Sequence, residues 1–328
     1  MRHTKTKIEL YKVRTFSEKF NDTFDFIVQH WRLILRYLCI IVLPLSILQG
    51  WGLDSFFSNF FMTSWAGGYY DNAEMGILAP YAGYILFALL SSIVVTSIIY
   101  GMMQYYEDHP NGLSDLSWTD FKPSFIRALK RTGILLLAWI IASGVFVLLC
   151  VLLGLASPIL VLLPFLAAMV CIVPLLLIAP TYIIGKDGFW QSVGKAWRYG
   201  WATWGGILGL IIVMGIFTYV GSGVLSIPLI ICFVANMFLV SSSDAATLSS
   251  LSSVVFTSIS YLASVISAFG NAIFSILPIV ALGWQYGHAA EKVDGVTVEK
   301  DVEHFDDLPD DTIQAEEPND NITNFENL

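Results

Sequence analysis

The chain predicts an all-α membrane protein, with six transmembrane helices, amphipathic interfacial helices on the cytoplasmic side and a pattern of three helix-hairpin units. Three observations carry that reading. Of 328 residues, 56% are hydrophobic and 13% charged, with a mean hydropathy of +0.68. A soluble domain carries about 25% charged residues. Apolar runs also recur that reach the roughly 20 residues needed to cross a bilayer. With six spans and both termini on one side, all 17 Lys and Arg fall on that side, which the positive-inside rule makes cytoplasmic.

Residues 1–15 are basic and read as a frayed segment without a cleavable signal peptide, so the first span is expected to act as an uncleaved signal anchor. Phe16, Phe20, Phe24, Ile27 and Trp31 then repeat at helical spacing, with Glu18, Lys19, Asp22 and Asp25 between them. This is an amphipathic helix at the membrane surface. It leads into span one, residues 33–53, where Arg32 and Arg36 can snorkel to the near interface and Pro44 interrupts the run. Residues 54–77 hold no Lys or Arg but include Phe56, Phe57, Phe60, Phe61, Trp65, Tyr69 and Tyr70. They read as an aromatic loop half-sunk in the far interface, with a platform for carbohydrate or lipid headgroups as the alternative.

Span two, 78–106, ends in the turn signal EDHPNG. Trp118, Phe121, Phe125 and Leu129, interleaved with Lys122, Arg127, Lys130 and Arg131, form a second amphipathic segment before span three, 133–156. A Ser157–Pro158 turn precedes span four, 159–184, where Pro164, Pro174 and Pro180 predict kinks. The stretch 180–210 then places Phe189, Val193, Trp197, Trp201 and Trp204 on one helical face, among Lys186, Lys195 and Arg198. The next apolar region, 204–240, predicts a fifth span over 204–225. The sequence GSGVLSIP at 221–228 is expected to break it, with a half-buried helix beyond. A Ser-rich stretch, span six over 254–286 with Asn271 and Pro278, and an acidic tail complete the chain. The organisation is therefore 1–15 basic segment, 16–290 membrane domain and 291–328 tail. The tail accounts for the acidity, with 13 acids against 2 lysines, a net −11, and the remainder has 15 bases against 13 acids.

Beyond Arg36, none of these spans contains an ionisable side chain. Such groups usually mark proton relays or ion paths, so their absence argues against a proton-coupled pump or an intramembrane metalloprotease. Asn236 and Asn271 are candidates for an uncharged polar lining, and they equally suit interhelical hydrogen bonds in a packed bundle. Gly205, Gly206, Gly209, Gly215, Gly221 and Gly223 give span five a small-residue face suited to close packing. Cys39, Cys150, Cys171 and Cys232 lie in apolar runs and read as small buried residues. His109 and His304 lack metal-ligand spacing, and Asn321 opens a glycosylation sequon that a cytoplasmic tail would leave unused. No catalytic, metal or cofactor residue and no nucleic-acid partner is expected. Trp31, Trp118, Lys122, Arg127, Trp197, Arg198 and Trp201 are the expected interfacial lipid contacts, the cations among them suiting anionic headgroups.

At residues 180–210 the chain resembles a group of bacterial six-span inner-membrane proteins of unknown function. That group is similar to the membrane domain associated with some glycerophosphodiester phosphodiesterases. Pro180, Trp197, Arg198 and Tyr199 match in place, while Gly185 stands where an acid is common and Ala196 where Ser is. The opening FSEKFNDTFDFIVQHWRLILRYL resembles the start of Bacteroidetes-type members, and the likeness extends over residues 16–292. It implies an inner-membrane location and, by analogy alone, a lipid-proximal role. The phosphodiesterase catalytic domain is absent, so no catalytic residue carries over.

Two functional readings follow. One is a non-enzymatic scaffold or accessory component, with the acidic tail as the handle for a soluble protein partner. The other is a transporter or lipid-handling protein with a path free of ionisable groups among the proline-kinked spans. A polar cavity around Asn236, Asn271 and residues 221–228 would separate them, because a packed scaffold should have none.

Overall fold

The computed structural model describes residues 7–64, 73–113, 116–241 and 254–298. His304, the Asn321 sequon, the acidic tail beyond residue 298, the Ser-rich stretch from 242, and Trp65, Tyr69 and Tyr70 lie outside them. The described residues are mostly helical and contain no strand. They form α1 (Phe16–Tyr37), α2 (Leu43–Ser64), α3 (Ala73–Asp108), α4 (Trp118–Ala156), α5 (Leu162–Leu175), α6 (Ile178–Ile184), α7 (Phe189–Ala202), α8 (Trp204–Ser241), α9 (Val254–Phe274) and α10 (Ile276–Asp294). Six stretches are long and apolar enough to cross a membrane: Phe16–Phe60, Gly76–Asp108, Trp118–Ala156, Pro158–Ile184, Trp204–Phe238 and Val254–Asp294. The protein is an all-α, multi-pass membrane protein.

Local chemistry sets the helix ends. Thr15 caps α1 through a reciprocal box, its backbone N–H donating to Glu18 Oε2 (2.6 Å) and its Oγ1 accepting from Glu18 N–H (3.3 Å). A π turn at Leu38–Val42 joins α1 to α2, with Leu43 N–H reaching back to Leu38 O. The wider turn sits just before Pro44, whose ring would clash with the carbonyl four residues back in a regular helix. The sixth crossing breaks at Ser275, and Pro278 falls in the first turn of α10, where its missing N–H costs no intrahelical bond.

Two expectations are corrected here. Residues 221–228 do not break span five, because α8 runs unbroken from Trp204 to Ser241 with Pro228 inside it. The glycines serve packing instead. A Cβ on Gly221 would lie 2.2 Å from the Phe274 ring of α9, and one on Gly270 of α9 would lie 2.7 Å from Leu225. Ser226 Oγ also lies 2.7 Å from Ser267 Oγ across the same seam. At 1.5 Å per residue α8 is about 57 Å long, enough for one crossing with an extension beyond it. Likewise α2 continues to Ser64, so residues 54–64 are helix rather than loop, and Asp54 becomes a buried ionisable residue within the first crossing. Ser260 Oγ of α9 donates to its carboxylate.

Toward the far end, α2 packs between α3 and α9, and α9 packs on α8. Toward the basic end, α1, α3, α6, α7 and α8 surround α10, in which every residue over 280–290 is buried. Trp284 and Gln285 there are fully buried. Two glycines let neighbours close on this helix. A Cβ on Gly287 would sit 2.1 Å from the Leu10 carbonyl oxygen, and one on Gly283 would sit 2.5 Å from Met103 Sδ. The α4–α5 hairpin stands apart. Phe121, Phe125 and Ala128 of α4 are buried, but beyond Thr132 the helix turns nearly all its side chains outward, as does most of α5. All four cysteines are free, and Cys39 is exposed rather than buried.

Gly287→Ala is expected to destabilise the protein by about 1–3 kcal/mol, because backbone must move. Gly144→Ala, with nothing within 4 Å of its Cβ position, is expected to stay within about 0.5 kcal/mol of the parent or to gain stability. Thermal unfolding of both variants in one detergent checks the contrast.

Candidate functional site

A cavity of about 320 Å³ opens between α2, α3 and α9, near the middle of α3. Its polar lining is uncharged: Gln49 from α2, Ser91, Ser92 and Thr96 from one face of α3, and Asn271 and Ser275 beside the helix break. The gap lies beside the helix break at Ser275, and the small residues Ala88, Ala268 and Ala272 share its lining. Ser92 and Asn271 of this lining are exposed.

Three of these groups lack protein partners among the described residues. Ser91 Oγ is buried without a hydrogen bond, and no hydrogen bond joins the side-chain amide of Gln49 or Asn271 to another described residue. Nearby hydroxyls behave differently, since Ser97 Oγ donates to Ile93 O (2.6 Å) and Thr132 Oγ1 to Ala128 O (2.8 Å). An unmatched amide or hydroxyl in an apolar medium costs about 1–3 kcal/mol by mutational measures. The cavity can therefore offer an incoming molecule donors and acceptors without a net charge.

Asn271 lines this cavity, whereas Asn236 does not. The Asn236 amide donates to Cys232 O (3.0 Å), one turn back in its own helix, and residues 221–228 lie outside the lining. Gln49, Ser91, Ser92 and Thr96 escaped the sequence reading. The only signal was hydroxyls at helical spacing in SSIVVTS, which Ser and Thr commonly hide by bonding the preceding turn.

A second cavity, about 260 Å³, lies at the basic end under the N-terminal segment. Tyr11, Tyr199, Tyr286, Asp187, Lys195 and Asp294 line it, and its charges are paired. Lys195 Nζ donates to Asp187 Oδ2 (2.6 Å), while Arg198 and the Tyr199 hydroxyl both donate to Asp294. The hydrogen bond to Asp187 raises the Lys195 pKa, with burial opposing it. Burial, then the Asp294 contact, raises that of Tyr199. Both shifts move away from neutrality, so near pH 7 Lys195 stays charged and Tyr199 stays neutral. The cluster latches α7 to the end of α10. Arg131 adds a second tie, donating to the Tyr182 and Gly185 carbonyls at the end of α6.

The expected lipid contacts Trp31, Trp118, Lys122, Arg127, Trp197, Arg198 and Trp201 are all exposed, and Arg198 also pairs with Asp294. On α7 the buried face is Ser192, Ala196, Tyr199 and Gly200, with Gly200 closed against Pro174. Trp197 and Trp201 therefore point outward, as does Trp190, at 81% exposure the most open tryptophan here. His109 stacks on Tyr105 with ring centroids 3.8 Å apart. Among the described residues, no three His, Cys, Asp or Glu side chains form a group able to hold a metal ion.

The Lys195–Asp187 pair is partly exposed, so its contribution is about 0.5–1 kcal/mol. Because the folded-state pKa of Lys195 is raised above the ordinary 10.5, that contribution is fully present below pH 10.5 and fades as pH rises through the folded value. Wild type is expected to lead Lys195→Met by a constant margin from pH 7 to 10 and to lose it above, in paired denaturation curves. Comparison of the chain with protein-family models, curated proteins and solved structures finds no match to any of them.

Proposed function

We propose that this multi-pass membrane protein handles a neutral polar amphiphile, a lipid or lipid-like solute, through the uncharged cavity between α2, α3 and α9. The observation that carries the reading is the uncharged cavity lining at Gln49, Ser91 and Asn271, whose side chains have no hydrogen bond to another described residue, with Ser91 buried and Asn271 exposed. A hydrocarbon environment leaves such groups unsatisfied, so a ligand that hydrogen-bonds them while keeping an apolar tail in the bilayer fits the site. The lining holds hydroxyls but no His, Lys, Asp or Glu that could activate one as a base, which favours binding or transfer over chemistry.

The proposed setting is the inner membrane of a bacterium, with the basic end and both termini in the cytoplasm. The one-sided distribution of all 17 Lys and Arg supports that orientation, and the resemblance noted from residues 16–292 agrees with it. A second reading, an accessory membrane component, draws on the α4–α5 hairpin, whose apolar side chains pack on little of the protein. In that reading a membrane partner covers the hairpin and the acidic tail engages a soluble one.

Native mass spectrometry of the full chain released from membranes tests the first reading. Wild type is expected to retain a stoichiometric neutral lipid, and Gln49→Leu with Asn271→Leu to lose at least tenfold in retention, the equivalent of about 1.4 kcal/mol. The same double variant is expected to unfold at or above the wild-type temperature, because it removes unmatched polar groups. Equal retention by both proteins, or no retained lipid, would overturn the reading.

A further inference from the structure

At the basic end, where α7 hands over to α8, the chain builds a third cavity of about 330 Å³, lined by Lys19, Trp201, residues 202–206, His288 and Lys292. We propose that it is a binding site for a phosphate group. The site is one of donors. Thr203 closes α7 with its N–H and hydroxyl both on the Tyr199 carbonyl (3.1 and 2.9 Å). The first turn of the long helix α8 therefore begins at Trp204, and first-turn N–H groups have no partner within their own helix. They carry the positive end of the helix dipole. Gly205 and Gly206 put no side chains in front of them, and a Cβ on Gly206 would sit 3.7 Å from Gln285 Nε2 and 3.8 Å from Lys19 Nζ.

The side chains around that cradle are the second, independent observation. Lys19 is 4% exposed, yet its ammonium has no ion pair and no hydrogen bond among the described residues. The carboxylates nearest in sequence are otherwise engaged. Glu18 closes the α1 capping box, Asp22 accepts from Arg14, and Glu291 accepts from Thr297. Gln285 is fully buried, and neither end of its amide finds a partner. His288 Nδ1 accepts the Arg14 backbone N–H (2.9 Å), so the neutral ring carries its proton on Nε2 and offers a donor. Lys292 brings a second ammonium to the same lining. An unpaired buried ammonium is costly unless an anion joins it. Two ammonium groups, an imidazole N–H, an amide and a helix N-terminus fit the several oxygens of a phosphate. Trp204 forms a fixed wall, its Nε1 donating to Val170 O (3.1 Å), and Trp201 lies beside it.

This site is separate from the mid-membrane cavity. Residues 278 and 288 are about 15 Å apart along α10, and the inference stands whether or not that cavity takes a lipid. Two sources offer the same chemistry, a phospholipid headgroup or free phosphate. The test uses the full chain in dodecyl maltoside micelles, which contain no phosphate. Thermal unfolding and tryptophan fluorescence are followed while inorganic phosphate is titrated in one arm and short-chain phosphatidic acid in the other. Wild type is expected to shift upward in unfolding temperature with at least one of them. A response to inorganic phosphate identifies the free ion, and a response to the lipid alone identifies a headgroup. Gly206→Ala, which fills the cradle, is expected to weaken the response at least tenfold, and Lys19→Met to abolish it. Without ligand, Lys19→Met is expected to unfold at or above the wild-type temperature, because an unpaired charge has gone. No response in either arm, an equal response from wild type and Lys19→Met, or a ligand-free Lys19→Met less stable than wild type would overturn the proposal.

Discussion

The structure depends on one constraint: α10 is buried on every side although it carries Gln285, Tyr286 and His288. A helix enclosed all round is normally apolar all round, so its polar groups must find partners or ligands in what surrounds it. The N-terminal segment supplies much of that. Arg14, with a side chain 1% exposed, bonds Asp22 (2.6 Å) and the Leu10 and Lys12 carbonyls (2.9 and 3.2 Å), and also donates to Glu9 O. Its guanidinium lies 4.9 Å from the Trp284 ring, while its backbone N–H holds His288. A buried charge is tolerable only with this degree of pairing. The same contacts lock the N-terminal segment against Gly287, where any side chain would push it away.

That clamp organises the two ends differently. At the basic end α7 closes on α10 through Arg198–Asp294, with Lys195–Asp187 tying α7 to the segment before it and the unmatched Lys19 on another side. At the N-terminal end of α10 the break at Ser275 separates it from α9, and an uncharged polar gap opens beside it. A single kinked crossing thus sets both a charged cavity near the surface and a neutral one in the membrane. The α4–α5 hairpin takes part in neither cavity and meets its surroundings with apolar side chains.

Much of the fold was legible because membrane physics writes long signals. Six stretches able to cross a membrane follow from run length, and of the aromatic stripe Trp118, Phe121, Phe125 and Leu129 the middle two are buried while Trp118 is exposed. Residues 221–228 misled because Gly and Pro punctuate soluble helices. In α8 the glycines instead admit Phe274 and Leu225, contacts invisible without the neighbouring helix. Asp54 escaped notice because helix length, not hydropathy, carries it inside. For the candidate site, Asn271 stood out as an amide in an apolar run. Gln49 sat at the end of a run and Ser91 among hydroxyls that usually bond their own backbone. Lys19 looked like any cation on a polar face; its burial follows from where α10 sits, which no local pattern encodes.

The most direct measurement is a cryo-electron microscopy map of the full chain in a lipid nanodisc, with a rigid antibody fragment bound to give it mass. The expected result is ordered non-protein density in the gap between Gln49, Ser91 and Asn271, continuous with the surrounding lipid. A closed gap, in which Gln49 and Asn271 hydrogen-bond each other and α9 runs straight into α10, would contradict the functional reading.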